Sequence, residues 1–289
     1  EAVMFKNIFS SVRVFFILSI FAISHIAFAQ LNGTYSVPID FPTIKSAVDS
    51  LNQVGVGYGG VTFNINAGYT ENTTNPILLT TTGGSLNQIT FQKNGIGTNP
   101  LVTRTDAGTI TTTTLGGQGD AVIIIQGSDY LTFDGIDVAS IDQGIEYGYY
   151  LRKTSGTDGC KYVSLKNVVV DLTKGTSAFV IGIYSSNNDV SSLPTSADGI
   201  TLTSESGTHE SVSILGNTIQ DVFIGIYFRG YNDPAYPPVL YDQNIVIGMP
   251  SSGNIIRNYG GNVASVTCGI YLNYITSPNV SYNTISNAS

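Results

Sequence analysis

"GIYFRG" (225–230) reads as a buried strand fragment, and the chain writes it again and again. "GIYLNY" follows at 269–274, "GIYSSN" precedes it at 182–187, and "GYYLRK" stands at 148–153, so the phrase returns at intervals of 34, 43 and 44 residues. The segments between recur as well. "YLTFDGIDV" (130–138) resembles "YVSLKNVVV" (162–170) and "SVSILGNTI" (211–219), and "NIVIGMPSSGNII" (244–256) and "NVSYNTI" (279–285) continue the series. One unit is thus a strand, a turn at Asn or Gly, a second strand, a variable turn, the G-x-Y strand and a variable loop. Strands this short cannot each bury a face alone. Stacked coil on coil, they form continuous parallel sheets with strands about 4.8 Å apart. The sequence therefore predicts an all-β parallel solenoid. Leucine-rich repeats fail on spacing and on the lack of Leu. A propeller needs four antiparallel strands with hairpin turns per repeat, and those signals are missing.

The alternation assigns the interior. Val163/Leu165, Val212/Ile214, Ile245/Ile247 and Val280/Tyr282 are the expected inward residues, with Ile183, Ile226 and Ile270 on the G-x-Y strands. Asn167, Asn217, Asn254 and Asn283 are expected at the sharp corners, because Asn tolerates left-handed backbone. Asp134-Gly135 meets the same need in the earlier unit.

Composition agrees with a β chain. Of 289 residues only 11% are charged, Trp is absent, and branched and aromatic residues come in short runs broken by Gly, Asn and Asp. The net charge is −8 and no basic run exists, which excludes nucleic acid as a partner class. At the start, Lys6 and Arg13 precede an apolar run of 16 residues, "VFFILSIFAISHIAFA" (14–29), that ends in Ala27-Phe28-Ala29. Residues 1–29 read as a secretory signal region with Met4 as the start and cleavage before Gln30, and no other segment is apolar enough to span a membrane. The mature chain is then secreted or displayed at the outer cell surface. Residues 30–60 hold one amphipathic helix in "DFPTIKSAVDSLNQVG" (40–55). Ile44, Ala47, Val48 and Leu51 share a face, Asp40 and Pro42 mark the start, and Gly55 the stop. It is placed to cap the first coil of a solenoid over 61–289. Cys160 and Cys268 fall on non-adjacent layers and outside any metal spacing, so neither a disulfide nor a metal is expected.

"DFPTIKSAVDSLN" followed by "NINAGYTEN" (64–72) resembles the opening of pectin-lyase-like right-handed β-helix proteins, pectin methylesterases among them. The later units resemble the parallel β-helix repeats of large exported bacterial proteins. The resemblance covers 31–289 and implies a right-handed parallel β-helix. It implies no single activity, since that scaffold carries lyases, hydrolases, esterases, adhesins and inert stalks. Methylesterases of the family use two Asp, an Arg and Gln on one sheet face. The only Gln-Asp pair in these repeats, Gln220-Asp221, is accounted for by the repeat itself. Polygalacturonase-like hydrolases use three Asp with Gly-His-Gly, whereas His209, the single mature histidine, stands in "GTHES" and is expected in a solvated loop. Pectate lyases use calcium carboxylates and an Arg. Arg152 and Arg229 both follow a G-x-Y strand and are expected to share a face, and Arg229 with calcium on Asp233 or Asp242 is the lyase alternative. Asp129, Asp134, Asp137, Asp142 and Glu146 lack calcium-loop spacing and read as a solvated acidic face.

Variation between units points to function. Insertions at 151–161, 185–210 and 228–243 follow successive G-x-Y strands and should line up on one side of the solenoid. The third, "FRGYNDPAYPPVLYDQ", supplies the candidate binding residues Arg229, Tyr231, Asn232, Asp233, Tyr236, Tyr241 and Asp242. Flat aromatic faces stack on sugar rings while amides and carboxylates take the hydroxyls. The reading is an exported recognition module that binds polysaccharide or a cell-surface glycan or mediates adhesion, without catalytic residues or cofactor. The alternatives are a polysaccharide lyase or hydrolase acting on acidic glycans, and a passive stalk. The chain stops mid-coil at "NTISNAS", and further coils are expected beyond it.

Overall fold

The computed structural model describes residues 29–109, 120–175, 179–191, 199–261 and 267–287. The signal region lies outside these residues, Ala29 apart. Three parallel sheets run the length of the molecule. The first contains Leu31–Val37, Val56–Asn66, Ile89–Asn94, Leu131–Asp134, Val163–Lys166, Ser213–Leu215, Val246–Ile247 and Asn279–Val280. The second contains Thr70–Thr73, Leu101–Arg104, Asp137–Ser140, Val169–Asp171, Thr218–Val222, Ile255–Tyr259 and Thr284–Ser286. The third contains Ile77–Leu79, Ala121–Gln126, Tyr147–Arg152, Ile181–Ser185, Ile224–Arg229 and Cys268–Asn273. The chain visits first, second and third sheet in turn and then climbs one layer. The six third-sheet strands close six coils, numbered here in that order. This is the all-β parallel solenoid that the repeats predict.

The core is built of columns in register. Phe63, Phe91, Phe133, Leu165, Ile214 and Ile247 succeed one another along the first sheet. The Phe rings stack at 4.6 and 5.0 Å, close to the spacing of strands in a sheet. Ile183 and Ile226 are fully buried in the same core, and Ile270 packs against it. The Tyr beside each Ile points the other way. Tyr150, Tyr184, Tyr227 and Tyr271 form an in-register outer column of the third sheet with a cluster of its own. Glycine opens the phrase for a steric reason. A Cβ at Gly182 would lie 2.3 Å from Ile219 Cγ2 and 2.7 Å from the Gly225 carbonyl, and one at Gly225 would lie 2.6 Å from Ile256 Cγ2. The second and third sheets meet along this column more closely than any side chain allows.

The corner expectation holds at Gly135 and Asn167 and fails at Asn217, Asn254 and Asn283. Left-handed backbone falls on Gly135, Asn167, Gly216 and Tyr282, at φ 68, 57, 66 and 58. Asn217 and Asn283 each follow such a corner, Asn254 follows Gly253, and all three lie outside the left-handed region. They form an internal amide ladder. Asn217 Oδ1 accepts from the Val168 amide at 3.0 Å and its Nδ2 donates to the Leu165 carbonyl at 3.0 Å. Asn254 and Asn283 repeat the pattern one coil on, with the Asn217 amide donating to Asn254 Oδ1 and the Asn254 amide to Asn283 Oδ1. Tyr282, at the corner, is 67% exposed and not an inward residue. Asn217→Val is therefore expected to destabilise through two orphaned buried backbone groups, by about 2–4 kcal/mol. Asn232→Val in the third insertion should stay within about 0.5 kcal/mol of wild type. Thermal unfolding of both variants checks this, and equal melting temperatures would remove the ladder as a stabilising feature.

The helix spans Ile44–Val54 and buries Ile44, Ala47, Val48 and Leu51. Its N-cap is Thr43, in a capping box with Ser46, rather than Asp40 or Pro42. Glu71, from "NINAGYTEN", accepts the Ile44 and Lys45 amides on its two carboxylate oxygens at 2.6 and 3.0 Å. That clasps the helix N-terminus to the second sheet. Burial raises the Glu71 carboxyl against the pull of those two bonds. At the other end, Asn52 donates to the Leu78 carbonyl and accepts from the Thr80 amide, tying the helix to the third sheet. Among the described residues no helix is long and apolar enough to cross a membrane.

Candidate functional site

The three insertions leave the third sheet at one corner, as the sequence suggests. Lys161, Glu210 and Gln243, which end them, pair in parallel bridges. The first is a tight hairpin closed between Ser155 and Asp158. It packs on the second through the Thr203 amide, which donates to the Gly156 carbonyl, and the Gly159 amide, which donates to the Ser206 carbonyl.

Under them lies a buried polar knot. Lys153 Nζ donates to Asp242 Oδ1 at 3.0 Å, both side chains being fully buried. The same oxygen accepts the His209 backbone amide at 2.7 Å. His209 Nδ1 accepts the Cys160 amide at 2.9 Å, and Nε2 lies 3.1 Å from the Ser186 carbonyl, so the ring is neutral with its proton on Nε2. Burial first, then the Lys153 charge, pushes His209 down to about 4, against the opposing pull of Asp242. Burial lifts the Cys160 thiol to about 12 and lowers the Lys153 ammonium, which Asp242 pulls back. A neutral imidazole and a thiol locked in its protonated form make a brace, not a nucleophilic centre. His209 is thus fully buried, contrary to the solvated loop expected of it. The sequence carries no sign of this, because the partners come from three separate coils.

The seven candidate binding residues divide. Asp242 faces inward. Asp233 is 8% exposed and its oxygens accept the Ala235, Val239 and Leu240 amides at 2.9, 2.7 and 2.9 Å, which hold its carboxyl below the usual range. These two carboxylates shape the loop, Asp233 through three backbone amides and Asp242 through Lys153 and the His209 amide. Tyr236 is 99% exposed and Asn232 is exposed, while Tyr231 and Tyr241 are half-buried. Arg229 hydrogen-bonds Tyr227 and lies 6.0 Å from the Tyr274 ring centroid. Arg152 and Arg229 fall in one axial column two coils apart, as expected. Tyr274 joins the group unforeseen, its ring 5.6 Å from that of Tyr241. Its signal was the end of "GIYLNY", one residue past Asn273, which pairs with Arg229.

A second polar group lies on the outer face of the second sheet. Asp171, Gln220 and Arg257 are in register. Arg257 Nε and Nη2 donate to Gln220 Oε1 at 2.8 and 2.6 Å. Asn258 donates to Asp221, and Lys174 Nζ donates to the Asn258 carbonyl at 2.8 Å. Burial raises the Asp171 carboxyl, and the Asp221 charge adds to that rise while a Gln220 hydrogen bond opposes it. The pair Gln220-Asp221, which the repeat alone explained, is therefore joined by a second Asp and an Arg from neighbouring coils. Beside this group opens a cleft of about 360 Å³ lined by Ile141, Asp142, Gln143, Thr173, Lys174 and Gly175. The early acidic residues do not form one solvated face. Glu146 is fully buried, Asp137 accepts from Asn99 and the Val169 amide, and Asp134 pairs with Lys166 at 3.2 Å.

No known protein family matches this sequence, and no curated protein does. Among solved structures, an alginate lyase from Paenibacillus sp. str. FPU-7 is similar at 13% identity, with a TM-score of 0.34, over 88% of this chain and 98% of that one. At that TM-score the likeness bears on neither the site nor the activity.

Proposed function

We propose that this chain is an exported recognition module that binds a polysaccharide at the insertion corner. The observation that carries the reading is the brace. Three loops from successive coils are fixed to one another by Lys153, Asp242 and His209, and on that fixed base the third presents Tyr236 almost wholly to solvent. A loop already fixed at its base adds little backbone ordering cost on binding, and the exposed ring offers its face to the C–H side of a sugar. Tyr231, Asn232, Tyr241 and Arg229 flank it, while Asp233 and Asp242 hold the loop. Tyr236→Ala and Tyr241→Ala are expected to weaken glycan binding by about 1 kcal/mol each. Tyr236→Ala should leave melting unchanged. Titration against acidic and neutral polysaccharides, alongside thermal unfolding, checks this. Wild-type affinity in both variants would move the passive-stalk reading to first place.

The polar group of Asp171, Gln220, Asp221 and Arg257 favours a second reading, an enzyme acting on acidic glycans. An assay for new reducing ends and for unsaturated uronate absorbance separates enzyme from binder.

A further inference from the structure

The residues that open successive first-sheet strands stack one per coil. Tyr130, Tyr162, Ser211, Asn244 and Ser277 all have left-handed backbone, at φ 50, 55, 55, 57 and 54. Their amides climb the axis, Tyr130 donating to the Lys161 carbonyl, Tyr162 to Glu210, Ser211 to Gln243 and Asn244 to Thr276. Asn suits such a backbone and the small Ser fits it, whereas a bulky side chain there is an outlier. Two coils nonetheless use Tyr. A costly conformation retained at the surface motivates a search for function.

The two rings stack at 4.5 Å with an interplanar angle of 22°. Tyr162 remains 47% exposed. On the next coil the equivalent residue is Ser211, which has no ring, so the stack stops at Tyr162. Its second face looks along the column over a serine, so the next ring position of the stack is a gap without a ring. The Lys161–Glu210 ion pair, at 3.0 Å, and exposed Asn244 stand beside that gap.

We propose that the second face of Tyr162 is a stacking site for a pyranose ring of a glycan, seated over Ser211 as the next member of the Tyr130–Tyr162 stack. The ring's C–H face meets the tyrosine, and its hydroxyls reach Glu210 as acceptor, Lys161 as donor and the Asn244 amide as both. Lys161 and Glu210 offset each other while Asp129 and Asp158 also act on Lys161, so the surroundings are net negative and favour a neutral sugar. The site shares its ligand class with the loop reading but none of its residues.

The test uses the whole chain titrated with soluble oligosaccharides of glucose and of galacturonate. Tyr162→Ser installs the residue that other coils carry, so folding should survive it, and binding should weaken about tenfold. Ser211→Tyr extends the stack by one ring and fills the gap, so it should weaken binding at least as much. Glycan should also alter the tyrosine fluorescence of wild type more than that of Tyr162→Ser. If Ser211→Tyr does not fold, Tyr162→Ser and the fluorescence decide alone. Wild-type affinity in Tyr162→Ser beside weakened binding in Tyr236→Ala overturns this site and leaves the loop standing. Lost binding in Tyr162→Ser with Tyr236→Ala unaffected supports it and sinks the loop. A wild-type chain that binds neither oligosaccharide overturns both.

Discussion

Asp242→Ala is expected to lower stability by about 3–5 kcal/mol, the cost of leaving a buried charge without its partner. The stranded charge is Lys153, fully buried, and the His209 backbone amide loses its acceptor in the same step. The double variant Lys153→Met with Asp242→Ala should recover much of the loss, because apolar replacement of a buried pair is often neutral. Denaturant unfolding of wild type, the single variant and the double variant measures both numbers. A surface sugar ligand would behave in the opposite way, with unchanged stability and weakened binding. A single variant as stable as wild type would falsify the brace.

Gly182→Val should cost about 3 kcal/mol or more, at the upper end of overpacking. The first obstacle is Ile219 Cγ2 at 2.3 Å, and the second is the Gly225 carbonyl at 2.7 Å, which is backbone and has no rotamer to yield. Gly225→Val should behave alike, since it faces Ile256 and the Gly269 carbonyl at 2.5 Å. Thermal unfolding is the measurement. Wild-type melting in either variant would mean that the repeated Gly is not steric in origin.

The architecture was legible because it depends on period. The Gly column, the alternating Val, Leu and Ile, and the amphipathic helix each carry a pattern within a few residues. The corner expectation fails at Asn217, Asn254 and Asn283 because two adjacent positions both favour Asn, the left-handed corner at Asn167 and the inward ladder at Asn217. Only a Cβ direction separates them, and "LKNV" beside "LGNT" does not reveal it. The site was legible in part. Tyr236 lies in a Pro-rich insertion and is exposed, as such composition suggests. Asp242 resembles it in sequence setting and is its reverse, since its burial depends on a lysine 89 residues away. The row of Asp171, Gln220 and Arg257 was missed for a related reason. Its members are contiguous along the axis and remote along the chain, and insertions of unequal length hide the register.

The brace also changes how the molecule comes apart. In a simple solenoid each coil touches only its neighbours, and the stack frays from its ends layer by layer. Here Lys153 leaves the third coil and grips Asp242 on the loop leaving the fifth, while His209 of the fourth closes the contact. Lys174 of the fourth coil likewise reaches Asn258 of the sixth. These ties skip a layer, so fraying that arrives at the third or the fifth coil meets a block that must open at once. The middle coils then form one cooperative unit between ends that can peel, and the surface proposed for recognition sits on the part of the molecule that is last to loosen.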